Sequence, residues 1–160
     1  MYAKAVAYAS LTGHEIVLDL YCGTGTIALC MAKHAKTVIG VEVVESAVLD
    51  ALENARTNQI ENASFIFADA ANAVHQLDRE GISPDVIVVD PPRKGLASDA
   101  IDAIVAMSAS RLVYISCNPA TLARDLRLFA ERGYQTAEVT PVDMFPRCAH
   151  VECVALLCRQ

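Results

Sequence analysis

Cys117 and Glu152 are the residues of this 160-residue chain best suited to covalent chemistry. Cys117 closes an apolar run at 111–117 (RLVYISC) and is followed at once by Asn118-Pro119. A cysteine inside such a run is ordinarily a small core residue. One at the exposed end of a strand is placed as a nucleophile, which needs access and a thiolate. Glu152 stands between Val151 and Cys153 in the otherwise apolar run 151–158 (VECVALLC), where a carboxylate reads as a general base. His150 is the alternative base, or the group that orients Glu152.

A second set of residues suits a nucleotide-like ligand. Gly23-Thr24-Gly25-Thr26-Ile27-Ala28 fits G-x-G-x-x-A between a strand and a helix. Gly23 and Gly25 would let backbone approach the ligand, and the helix start would favour an anionic group. Glu42, 17 residues after Gly25, suits ribose hydroxyls. Asp69 suits an adenine amino group and is equally a helix N-cap, two compatible roles. Asp90-Pro91-Pro92 is more specific. The residue before a proline is held extended and two prolines remove two backbone donors, so a carboxylate is fixed on a stiff rim. Tyr21 and Cys22 adjoin the glycine turn. A nicotinamide dinucleotide and S-adenosyl-L-methionine both fit the glycine turn and Glu42. Only the second gives a reason for Asp90, Cys117 and Glu152 to accompany them.

These residues need a scaffold that gathers them. Strand-like runs occur at 16–21, 37–42, 63–68, 85–90, 111–117, 134–143 and 151–158, with helical spacing at about 26–35, 46–58, 70–80, 98–108 and 119–132. The alternation predicts an α/β fold: a doubly wound, mostly parallel seven-stranded Rossmann-like sheet over one domain, 1–160. About seven residues separate the last two runs, too few for a crossover helix, so the last strand is expected antiparallel. Every motif then falls on one rim, at the carboxyl ends of the parallel strands and the start of the reversed one.

Apolar residues make up 54% of the chain and charged residues 20%, which excludes a disordered chain. There is no apolar run long enough for a transmembrane helix and no signal-peptide pattern at the N-terminus, so a cytoplasmic protein without a membrane partner is expected. The formal charge of -6 is uneven: residues 1–90 carry 5 Lys+Arg against 12 Asp+Glu, and residues 91–160 carry 8 against 7. An anionic partner would meet the second half, with Arg93, Arg124 and Arg147 as candidate phosphate contacts. The six cysteines form no C-x-x-C pair, so neither a zinc site nor a disulfide framework is expected.

The segments LDLYCGTGTIAL, GVE, DPPRKGL, YISCNPATLARDL and DMFPRCAHVE together closely resemble the RNA (uracil-5-)-methyltransferases. The resemblance implies a class I methyltransferase fold with S-adenosyl-L-methionine as cofactor. It implies Cys117 as nucleophile, Glu152 as the base that takes the C5 proton, and Tyr21, Gly23, Gly25, Glu42, Asp69 and Asp90 at the cofactor, Asp90 also near the target base. Cys148 fills a place often held by threonine. The implied partner is RNA. The DMFPxxxHVE pattern points to 23S ribosomal RNA rather than transfer RNA, and the expected product is 5-methyluridine made by a monomer. The family also carries upstream parts with a cofactor-binding glutamine and RNA-binding domains, in some members an iron–sulfur cluster. By that comparison the chain is expected to be an isolated catalytic domain, active or merely cofactor-binding alone.

Overall fold

The computed structural model describes residues 1–160. Helix α1 (Tyr2–Ala9) opens the chain, and then strands and helices alternate. They run β1 (Ile16–Leu20), α2 (Thr26–Ala32), β2 (Thr37–Glu42), α3 (Glu45–Thr57), β3 (Ala63–Phe67), α4 (Ala70–Arg79), β4 (Val86–Val89), α5 (Ser98–Ala106), β5 (Arg111–Ser116) and α6 (Pro119–Ala130). Strands β6 (Tyr134–Val142) and β7 (Glu152–Arg159) close the chain. The seven strands form one sheet in the order β3-β2-β1-β4-β5-β7-β6. β1 pairs in parallel with both β2 and β4, and the strand order reverses there. β7 lies antiparallel between β5 and β6, as the short connection predicted.

Period-2 alternation divides the core into two layers. Leu18, Leu20, Ile87, Val89, Leu112 and Tyr114 face α4, α5 and α6. Val17, Val86, Val88, Val113 and Ile115 face α1 and α2. α3 packs against β2 and β3. The sequence reading did not foresee α1. Ala5, Tyr8 and Ala9 are buried at i, i+3, i+4 spacing, but Met1 gives the helix no side-chain cap. α1 is held instead by contact with α2, β5 and β7. No helix is long and apolar enough to cross a membrane.

Candidate active site

The glycine turn, β2 and β4 form the acidic side of the rim. Glu42 accepts from Gly23 N–H at 3.0 Å through one oxygen, and from Val43 and Val44 N–H at 2.8 and 3.0 Å through the other. It thereby ties the end of β2 to the turn after β1. Tyr21 holds a left-handed conformation, φ 66°, that a bulky side chain rarely adopts. Its side chain walls two neighbouring spaces. One is a cleft of about 510 Å³ that Glu42, Asp90, Lys94 and Gly95 also line. The other, about 110 Å³, is shaped by Val41, Ala68 and Asp69, with Glu42 and Val43 common to both. Asp69 caps α4, accepting from Asn72 N–H at 2.9 Å and from the Asn72 side-chain amide. The Asn72 backbone N–H, first among several donors, holds its carboxyl below the usual range.

The two glycines have different reasons to be glycine. Around Gly23, at φ 53°, a Cβ would meet nothing within 4 Å, so the turn presents bare backbone to open space. At Gly25, φ 82°, a Cβ would lie 2.9 Å from the Phe65 ring and 3.1 Å from Ala51 Cβ. Gly25 therefore serves the packing of β3 and α3 against the turn.

Asp19 was not among the expected site residues. It lies on the α1–α2 face of β1 beneath the turn, fully buried, and neither carboxyl oxygen has a hydrogen-bond partner. The Ala28 N–H approaches it without closing a bond. Burial first, then the charges of Asp90 and Glu42, push its carboxyl up to about 8. Its signal in the sequence is faint: one acid within a short apolar strand.

Cys117 and Glu152 meet across the β5–β7 ladder. Ser116 pairs with Cys153 at its last rung, so the next step sets Cys117 opposite Glu152. Both line a pocket of about 140 Å³ with Arg93, Phe145 and His150. Directly behind Cys117, Asn118 caps α6 through Ala120 N–H at 3.1 Å, with Pro119 in the first helical position. The dipole of that helix favours negative charge at this end. Asp90 lines the cleft and lies near enough to Glu152 to feel its charge. Burial first, and the charge of Glu152 second, raise its carboxyl to about 6.

The loop after Asp90 is gripped from one face of α6. Arg93 O accepts from Asn118 Nδ2 at 3.1 Å and Thr121 Oγ1 at 3.2 Å, and Arg124 donates to Lys94 O and Leu96 O at 3.0 and 3.1 Å. Asp125, wholly buried, accepts from Leu96 N–H at 2.8 Å, Tyr114 Oη–H at 2.6 Å and Arg124 Nε at 2.8 Å. A Cβ on Gly95 would fall 2.5 Å from Asp125 Oδ2, so the loop closes on this carboxylate only with glycine there.

Of the eight expected site residues, Tyr21, Glu42, Asp69 and Asp90 line the cleft and its smaller neighbour, Cys117 and Glu152 line the pocket, and Gly23 and Gly25 shape the turn beside them. The arginines are not equivalent. Arg93 lines the pocket, Arg147 is exposed in the β6–β7 loop, and Arg124 is committed to Asp125 and two carbonyls rather than free for phosphate. A separate groove of about 260 Å³ beside α2 and α3, lined by Thr24, Thr26, Lys33 and Asn54 among others, carries no carboxylate.

The cleft's donor set suits an adenosyl sulfonium. Glu42 and Asp69 offer acceptors for hydroxyl and amino groups, and an apolar wall of Val43 and Ala68 suits a flat ring. The half-buried Asp90 carboxyl, raised by burial first and by the charge of Glu152 second, is a natural neighbour for a cationic ligand.

The pattern of the tRNA (Uracil-5-)-methyltransferase family matches residues 5–160. The chain is 56% identical over 156 residues to an RNA methyltransferase of Staphylococcus aureus and 52% identical over 157 residues to one of Enterococcus faecalis. Each match covers 98% of this chain and 34% of the relative, so the chain spans about a third of their length. Among solved structures it is similar to a tRNA (uracil-54, C5)-methyltransferase of Pyrococcus abyssi in complex with S-adenosyl-L-homocysteine, at TM-score 0.81 and 32% identity, over 97% of this chain and 37% of that one. A precorrin-6y C5,15-methyltransferase of Geobacter metallireducens, TM-score 0.83 and 14% identity over 99% of this chain and 88% of that one, shares the fold.

Proposed function

Because the chain belongs to the tRNA (uracil-5-)-methyltransferase family, we propose that it transfers methyl from S-adenosyl-L-methionine to C5 of a uridine in RNA. The observation that carries this reading is the shared pocket of Cys117 and Glu152, with the carboxylate-lined cleft beside it close enough that the charge of Glu152 acts on Asp90.

Uracil C5 is too poor a nucleophile to be alkylated unaided. The Cys117 thiolate adds to C6, and the C5–C6 π electrons move toward C5 and O4 as an enolate. The cofactor, when bound, supplies an electrophilic methyl group. C5 takes that methyl, and Glu152 removes the C5 proton. The electrons of that C–H bond restore the double bond, and the Cys117 sulfur leaves C6. Tyr21, Gly23, Glu42 and Asp69 would hold the adenosine, with Gly25 keeping the turn in shape and Asp90 offering its carboxylate to the sulfonium charge. Extrusion of the base from its stack brings C6 to the rim, and Arg93 and Arg147 meet the RNA backbone.

Calorimetry tests the cofactor half of the reading: S-adenosyl-L-homocysteine should bind and NADH should not. Binding of NADH alone would overturn it. Methyl incorporation into RNA, measured at the full length of the natural chain, tests the other half. For the substrate, DMFPRCAHVE supports 23S ribosomal RNA, whereas similarity to the Pyrococcus abyssi enzyme favours transfer RNA as a second reading. Nucleoside mass spectrometry of separated RNAs from a deletion strain distinguishes them by which class loses 5-methyluridine.

A further inference from the structure

Phe145 stands in the catalytic pocket with nothing in the proposed chemistry to do. It is 55% exposed, so much of its ring is free to meet a ligand. The four other residues around the pocket, Arg93, Cys117, His150 and Glu152, are polar or ionisable, so Phe145 is its one apolar wall. The β6–β7 loop that carries it is exposed but pinned around it. Asp143 Oδ1 accepts the Phe145 N–H at 3.2 Å, and the Phe145 carbonyl accepts from Cys148 N–H at 3.2 Å and Cys148 Sγ at 3.0 Å. The left-handed Arg147, φ 76°, completes that tight turn.

We propose that Phe145 is the stacking wall for the target pyrimidine, holding the extruded uracil ring so that C6 meets Cys117. The inference rests on the reading of the pocket as a uridine site. An extruded base loses the neighbours it stacked on, and an aromatic side chain replaces them regardless of base identity. Thiolate addition to C6 occurs perpendicular to the ring plane, so the ring must be held flat at a defined height above the sulfur. A pocket of about 140 Å³ with nucleophile, base and aromatic wall around it has the dimensions of a single pyrimidine rather than of a base pair. Phe145 is then a substrate-positioning residue whose contribution is geometric.

The test uses the natural full-length protein and 5-fluorouracil-substituted RNA, transcribed from the RNA class that loses 5-methyluridine in the deletion strain. Fluorine at C5 leaves no proton for Glu152 to take, so the adduct with Cys117 is trapped and counted in a denaturing gel. Phe145→Leu should slow adduct formation about tenfold and raise KM for RNA, with the affinity for S-adenosyl-L-homocysteine unchanged. Phe145→Tyr, which keeps the ring, should stay within about twofold of the parent. A Leu variant that forms adduct at the parental rate overturns the inference and leaves the uridine reading standing. Leu and Tyr variants that fall together, with cofactor affinity lost, also overturn it, making Phe145 a packing residue. If the parent protein forms no adduct at all, the uridine reading itself fails and the wall fails with it.

Discussion

Ser116 and Cys153 face each other at the final rung of the β5–β7 ladder, and that pairing sets Cys117 against Glu152 one step beyond. Residues directly opposite in an antiparallel pair share a face, with Cβ atoms about 5 Å apart. A one-residue slip would carry the carboxylate to the other face of the sheet. The juxtaposition therefore depends on register, and the buried Val113, Ile115 and Val154 hold that register by fixing which face points into the core.

The division of labour across this rung is open to a direct trial. Cys117→Ala should abolish methyl transfer while cofactor affinity and folding persist, because its side chain holds up no part of the core. Glu152→Gln should still permit attack at C6 and methylation, and then stall before the sulfur leaves. That variant should accumulate a protein–RNA adduct that survives denaturation, visible by gel shift. Normal turnover in Glu152→Gln would transfer the base role to His150 or water, and an adduct in Cys117→Ala would end the nucleophile assignment.

The α6 grip predicts where the site is mechanically weakest. Asp125 is buried and satisfied by three donors, one of them the Arg124 guanidinium. Asp125→Ala strands the Leu96 N–H and the Tyr114 hydroxyl, at about 1–3 kcal/mol for each unpaired buried donor, while the half-exposed Arg124 guanidinium turns to water. Tyr114→Phe removes one bond to the same carboxylate and should cost about 1–3 kcal/mol. Burial and the Asp125 hydrogen bond both raise the Tyr114 phenol, which keeps it a donor at all ordinary pH. Urea denaturation reads both values. Losses below about 1 kcal/mol in both variants would mean that the loop is held by other contacts.

Much of this rim was legible because strand ends are where motif and geometry coincide. The β-branched runs marked six parallel strands, and the short stretch before Val151 revealed the reversal that delivers Glu152 to the same edge. Other features depend on partners distant in sequence. Arg124 read as a free cation because nothing local reveals that its neighbour Asp125 is buried under Leu96 and Tyr114. Gly25 read as a ligand contact because the Phe65 ring that needs its space lies 40 residues on. Asp19 drew no notice as the one acid in the apolar run 16–21, because nothing local shows that its side chain is wholly buried. Helix α1, eight residues without a side-chain cap, is made by packing rather than by local signals.

Asp19 should leave a signature in the pH dependence of stability. Its folded carboxyl titrates near 8, against an ordinary value of 3.8. Between those values the unfolded chain has released a proton that the folded chain retains. The stabilising contribution is therefore fully present below about pH 4 and is lost as pH rises through about 8. A single such group contributes a fall of about 1.4 kcal/mol per pH unit in that window. Asp19→Asn, similar in shape and never charged, should flatten the curve by that slope in urea titrations from pH 5 to 8. A parental curve no steeper than the variant's would show that Asp19 finds a partner in solution.

Asp90 should govern cofactor affinity in the opposite sense, because there the ligand rather than folding needs the charge. Its carboxyl titrates near 6, raised by burial and by Glu152. A sulfonium beside it favours the ionised form, so binding S-adenosyl-L-methionine below pH 6 must first expel a proton. Affinity should be nearly level from pH 7 to 7.5 and then weaken through pH 6 toward 5, approaching tenfold per unit as the carboxyl becomes fully protonated. S-adenosyl-L-homocysteine has no sulfonium charge and should lose less over the same range, which separates a contact with sulfur from one with the ligand's ammonium group. Asp90→Asn should bind more weakly at pH 7.5 and show no step at all. Glu152→Gln supplies the further control: with the like charge removed, the midpoint should move down by a part of the shift, burial still holding it above the ordinary aspartate value, while affinity at pH 7.5 holds. Calorimetry at constant ionic strength measures all four curves. A parental affinity that stays flat from pH 7.5 to 5 would remove Asp90 from the cofactor's cation.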